Sequence, residues 1–270
     1  MKSKLYILTI ISIFSFSYIV FAQKQDSKSA SELTVEADES IEWFEKDKYY
    51  VAKGNVILKK DGFTLNANFV RANYKIKNGE NILEKIIARE DITFTKKEMK
   101  ATGQNLIYEF NDKIAILSGK FQTLTTTSGY VESNKKIKFD DLKNKAEAEG
   151  KVKMILSNKT IIRADKINAD LNNKDKSVEY AVAKGNVLIE NKNKGNKSQA
   201  QLGIYNSSNE IIKLSGDVVL TTADSILRGS KGQTNLKTGI STLMSDPNKK
   251  ERVKGTFSLK KKSKKGGETE

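Results

Sequence analysis

The chain has 270 residues, 48 of them Lys or Arg against 33 Asp or Glu, for a formal net charge of +15. It holds no cysteine and no histidine, which excludes disulfides, thiolate or imidazole metal sites and histidine-based catalytic triads. The length suffices for a buried core as one elongated domain or two compact ones, and the basic balance favours anionic partners.

In chain order, Lys2 and Lys4 precede the apolar run LYILTIISIFSFSYIVF, followed by Ala22 and a polar stretch. This reads as a signal peptide over 1–22, with Val20 at −3 and Ala22 at −1 of the cleavage site. The alternative is a retained membrane anchor, since the run is long for an h-region. Either way the remainder lies outside the cytoplasm, which argues against nucleic acid as the partner of the positive charge. Residues 23–30 read as a flexible linker and 261–270 as a disordered basic tail.

From Ser31 to Lys260 one phrase recurs. VAKGNV occurs at Val51–Val56 and again at Val182–Val187, and related beats centre on Gly119, Gly150, Gly216 and Gly255, with Glu90 in the glycine slot of another. Two and four residues after the centre sit Val56 and Leu58, Ile92 and Phe94, Phe121 and Thr123, Val152 and Met154, Val187 and Ile189, Val218 and Leu220, Phe257 and Leu259. Two before it sit Ala52, Ala88, Leu117, Ala148, Ala183, Leu214 and Val253. Period two over nine residues predicts a strand with one buried face, and the phasing places the glycine inward, where it permits a bend or close backbone approach.

A second phrase follows: ANFVRANYK from Ala67 matches ADKINADLN from Ala164, and its apolar phase changes between Ala67 and Val70, which predicts a bulge or a bend. Seven cassettes of two strands give about fourteen. The stretch NILEKIIA leads into the Glu90 beat rather than forming a helix. With no crossover helices, the options are a closed barrel, a solenoid or two stacked sheets. If each cassette gives one strand to each sheet, the body is roughly 35 Å long. Its open ends would be templates for adding a copy head to tail.

These alternating A-x-G-x-V and A-[D/N]-x-[V/I] strands, with the export signal and the closing ERVKGTFSLK, resemble the periplasmic lipopolysaccharide-transport bridge protein (the LptA, or OstA-like, family). The resemblance covers nearly the whole mature chain. It implies an all-β, elongated, twisted V-shaped jelly roll over 31–260 whose inner face carries lipid A acyl chains. It also implies docking between an inner-membrane-anchored LptC-like protein and an outer-membrane LptD-like assembly, with head-to-tail homo-oligomers between them. Glu90 in a glycine slot and the chain's length depart from the pattern and leave open an anchored, LptC-like relative.

The candidate acyl-binding residues are Val56, Leu58, Phe94, Leu117, Phe121, Met154, Val187, Ile189, Val218 and Leu220; Arg71, Arg89 and Arg163 are candidates for phosphate contacts at the mouth. The competing reading is an exported structural β-repeat or adhesin whose inner face is packed solid. No catalytic, metal or cofactor site is expected. Ser133 and Lys136 form a Ser-x-x-Lys spacing that a lysine-rich chain produces by chance, with no partner motif.

Overall fold

A computed structural model describes residues 32–191, 195–246, 248 and 251–258. The expected signal segment, linker and tail, together with Pro247 and Leu259, lie outside the described residues. Those described form eighteen strands in one antiparallel sheet and no helix. The first eight are β1 (Thr34–Glu36), β2 (Ser40–Phe44), β3 (Tyr49–Lys60), β4 (Phe63–Lys77), β5 (Glu80–Lys96), β6 (Met99–Glu109), β7 (Ile114–Ser118) and β8 (Gln122–Thr126). Then come β9 (Gly129–Ser133), β10 (Lys136–Asp140), β11 (Lys145–Leu156), β12 (Thr160–Leu171), β13 (Val178–Asn191) and β14 (Asn196–Asn206). The last are β15 (Ile211–Thr221), β16 (Ser225–Asn235), β17 (Ser241–Met244) and β18 (Lys254–Phe257). The stretch NILEKIIA belongs to β5, as its lead into the Glu90 beat required.

Each long strand is interrupted mid-way. In β3, Tyr49–Lys53 pairs with Phe69–Asn73 of β4 and Val56–Lys60 pairs with Phe63–Ala67, with a bulge at Gly54 and Asn55 between them. The same break recurs between Arg89 and Ile92, Glu149 and Val152, Lys184 and Val187, and Ser215 and Val218. Along this line of bulges the sheet folds over into two layers. The first layer holds β2, β7, β10, β17 and stretches such as Tyr49–Lys53. The second holds β1, β8, β9, β18 and stretches such as Val56–Lys60.

The inner faces meet across the fold. A Cβ on Gly203, in the first layer, would lie 3.2 Å from Val187 Cγ1 in the second, and one on Gly103 would lie 3.1 Å from Leu117 Cδ2 in the opposite layer. One continuous apolar cluster fills the space between, including Val56, Leu58, Leu65, Ile86, Val152, Val187, Ile212 and Val218.

The corner explains the recurring phrase. Gly54 (φ +79°) and Asn55 (φ +41°) are both left-handed, a pair of conformations that reverses the strand's direction between layers. Asn is among the few side-chain-bearing residues that visit this region readily, and here it also bonds: Asn55 Nδ2 donates to Asp38 Oδ2 (2.7 Å), as Asn186 Nδ2 does to Asp165 Oδ2 (2.9 Å). The glycine therefore does not point inward as its phase suggested. A Cβ on Gly54 would meet the exposed Glu39 side chain at 2.6 Å, because two residues bulging opposite one take the glycine out of the alternation.

Treating β1 with β2, β7 with β8, β9 with β10 and β17 with β18 as single crossings brings the eighteen strands to the expected fourteen. Every crossing contributes to both layers, so each layer has twice the strands assumed for a 35 Å body. At ~4.8 Å per strand the stack is about 67 Å long.

Candidate functional site

Inner-face positions nearest the corner are sealed. Val56 and Leu58 are fully buried, and Leu117, Met154, Val187, Ile189, Val218 and Leu220 are buried in the same cluster. Phe94 is partly buried against it. Phe121 is on the other side altogether, 55% exposed, and its inward placement was wrong. The corner after Ser118 spends three residues, Gly119, Lys120 and Phe121, where the other beats spend two, so Gln122 and Leu124 take the inner positions. A one-residue slip exchanges the two faces of everything downstream until the next bulge.

Farther from the corner the layers part at mid-chain. An open, almost wholly apolar pocket of about 90 Å³ lies between them. The second layer contributes Met99, Leu124, Gly129, Val131, Met154 and Leu156; the first contributes Ile137, Phe139, Ala146, Ala148, Ile167, Ala169, Leu171 and Val178. The opening follows from side-chain size, since Ala146, Ala148 and Ala169 leave room that larger residues would fill. Of the ten candidates only Met154 reaches this groove, while Ile189 lines a smaller neighbouring pocket of about 20 Å³ with Asn196, Ser198 and Thr234. Most of the residues missed lie one or two alternations farther from the glycine, although Ala148, two before Gly150, also reaches the groove. The small-residue phrase containing Ala164 and Ala169 was the signal that pointed to them.

At mid-chain the inner face also carries an unusual polar group. Gln122 is fully buried, and neither atom of its side-chain amide has a hydrogen-bond partner. Its register partner Ser133 is equally buried but satisfied, its Oγ lying among the carbonyls of Lys136 and Glu149 and the amides of Lys135 and Lys136. That engagement removes the Ser-x-x-Lys spacing from catalysis, because the hydroxyl serves the corner and the Lys136 ammonium pairs with Glu147 at 2.9 Å.

The three arginines are not at the mouth. The Arg71 guanidinium stacks 3.8 Å over the Tyr49 ring, Arg89 lies over Phe69, and Arg163 pairs with Glu190, all on outward-facing strand positions. Alternation decides this, since each immediately follows or precedes an inner residue (Val70, Ala88 and Ala164). The cation at the groove is Lys176, whose Nζ lies 2.7 Å from Asp141 and 5.9 Å from the Phe139 ring centroid.

Outside, charges form cross-strand ladders. Lys166 bridges Glu147 (2.9 Å) and Glu149 (2.8 Å), and Lys136 contacts both. Hydrogen bonds from Lys166 and then Lys136 hold the Glu147 carboxyl down at about 2. Burial and the hydrogen bond to Glu132 push the Tyr130 phenol up to about 12. Among the described residues no group of three or more acidic side chains is placed to hold a metal ion.

Comparison with known proteins adds a family. The model of the family described as LptA/(LptD N-terminal domain) LPS transport protein matches residues 34–135 and again residues 130–240. Among solved structures the chain is similar to LptH, the LptA homologous periplasmic component of the lipopolysaccharide transport device from Pseudomonas aeruginosa. That match has 19% identity and a TM-score of 0.41, covering 47% of this chain and 95% of the other. No curated protein matches.

Proposed function

Because the chain belongs to the LptA/(LptD N-terminal domain) LPS transport protein family, we propose that it is a periplasmic carrier that binds lipopolysaccharide and bridges the two membranes. Acyl chains lie in the mid-chain groove, and the supporting observation is that groove's apolar lining between the two layers. Burying a methylene is worth about 0.8 kcal/mol, so a ten-carbon chain carries on the order of 8 kcal/mol into such a site. Its unloaded volume is smaller than the roughly 150 Å³ cavity that takes one benzene, so loading parts the layers further. Movement needs no chemistry, only a moderate affinity that allows hand-over.

Bridging draws on the ends. Among the described residues β1 and β2 pair only with β3, and β17 and β18 only with β16, so within them each layer ends in an unpaired edge at both ends of the stack. Ile41 (53%) and Trp43 (57%) on β2 are exposed at one end, and Phe257 (64%) on β18 at the other. Such edges accept strands of an LptC-like protein, an LptD-like assembly or a second copy head to tail. The N-terminal segment serves as the export signal that brings the chain there.

The test is to purify the full chain from cell envelopes and extract it for mass spectrometry, with photocrosslinkers at Val131 and Leu171 in living cells. Lipopolysaccharide is expected in the extract and on both positions. Its absence from both leaves a rigid spacer with a packed interior.

A further inference from the structure

The chain repeats itself at a longer interval than the cassette. β2, β3, β4, β6 and β7 begin at residues 40, 49, 63, 99 and 114, while β10, β11, β12, β14 and β15 begin at 136, 145, 160, 196 and 211. The two sets are offset by 96 or 97 residues throughout, and the family match falls twice on the chain with the same spacing. Sequence preserves the offset: GQNLIYEFNDKIAILSGK from Gly103 aligns with AQLGIYNSSNEIIKLSGD from Ala200. Gln104 packs on Gly119 as Gln201 packs on Gly216. The chain thus holds two tandem copies of a six-crossing module, followed by β16 to β18.

The copies differ at the mouth. In the first, Phe63 reaches across from the second layer, 5.4 Å from Phe94 and 6.5 Å from Tyr108 in the first layer, and Tyr108 packs edge-on against Phe110 at 4.7 Å. Phe63 is only 7% exposed. Four aromatic rings therefore join the two layers where a greasy slot would otherwise open. In the second copy the same positions are Thr160, Ile189, Tyr205 and Ser207. Three of the four rings are gone, and Thr160 is fully buried with its hydroxyl unpartnered.

β6 carries Met99 into the mid-chain groove and Tyr108 into the ring cluster, so the boundary falls within one strand. Resting on the acyl-carrier reading, we infer that the two copies have divided the work: the fatty acyl site runs from Met99 to Val178, mainly in the second copy, and the Phe63–Phe94–Tyr108–Phe110 cluster is a plug that stops acyl chains from entering the first. Displacing Phe63 or Tyr108 from its two aromatic neighbours forfeits both buried area and ring–ring contacts, whereas parting the layers beside Ala146 and Ala169 breaks no ring–ring contact. Passage toward β1 and β2 is then gated, while the mid-chain groove stays open to loading from its side.

The experiment incubates the full chain with a fatty acid carrying a diazirine at its terminal carbons and maps labelled peptides by mass spectrometry. In the unaltered chain labels are expected on Val131, Met154, Ala169 and Leu171, with loss of labelling over Leu65 and Ile86. Phe63→Thr, which installs the second copy's residue, extends labelling to Leu65 and Ile86; Phe110→Ser, at a half-buried site, does so without disturbing the core. Labels spread evenly over both copies in the unaltered chain overturn the plug, as does an unchanged map in either folded variant. Labels nowhere, in a chain whose β-signal is intact, instead overturn the acyl-carrier reading on which the plug rests.

Discussion

Positions beside the corner and positions at the mouth share the same strands, the same inward orientation and much the same residue types, yet they end differently. Val152, two residues past its glycine, is sealed at 1% exposure; Leu171 and Val178, far from theirs, border an open groove. The difference is geometric. Two layers joined at a fold must be in contact near it, so any apolar residue there becomes core. Only where the layers have separated by about the ~10 Å of ordinary sheet packing do side-chain volumes decide between contact and gap. An inward apolar residue is thus evidence of a core or of a lipid path according to its distance from the corner.

The comparison is broken most severely by a charge beside the corner. Leu220→Asp places a carboxylate in the sealed cluster, and we expect a loss of at least about 4 kcal/mol or outright unfolding, read from a urea or thermal melt. Persistence of a native melt would mean the corner is wet. Next in size, Ala169→Trp fills the groove at the mouth: acyl-probe binding is lost while the strand signal persists, at a stability cost of about 1–3 kcal/mol. Undiminished binding would place the acyl site elsewhere.

A smaller effect comes from the outer ladder. The Glu147 carboxyl is held at about 2, below its ordinary value, so its pairing with Lys166 and Lys136 stabilises the fold above about pH 4.5 and is lost as pH falls toward 2. Glu147→Gln is expected to lower the urea midpoint at pH 7, with the gap from the unaltered chain closing by pH 2; a gap independent of pH would mean that shape, not charge, matters there. Smallest of all is Phe121→Asp. Exposed on the outside of its corner, it should leave acyl binding unchanged and stability within about 0.5 kcal/mol. Loss of binding would return Phe121 to the inner face.

Much of the fold was legible because alternation is a local property. Val56 and Leu58, or Val187 and Ile189, announce a buried face without reference to any other strand, and the phase change between Ala67 and Val70 announces its bulge. Phe121 was misplaced because one additional residue at a corner is invisible until the pairing of Thr102 with Thr123 fixes the register. The arginines alternate with Val70, Ala88 and Ala164, so the same alternation that buries those residues turns the guanidinium groups outward, away from the mouth. The longer repeat was also present, in the aligned I-Y and L-S-G of the two copies, but the shorter cassette period masked it.

Composition and periodicity alone determined an all-β chain of about fourteen strands with one greasy side and a lysine-rich other, since each of these follows from neighbours in sequence. Only the folded arrangement decided where the greasy side closes on itself. Closure depends on what stands opposite: Phe63 reaches Tyr108 from a strand two away and from the other layer, whereas Ala146 and Ala169 share an open gap with Val131 and Leu156 of the other layer. Such encounters join residues tens of positions apart, and no pattern within a single strand records them.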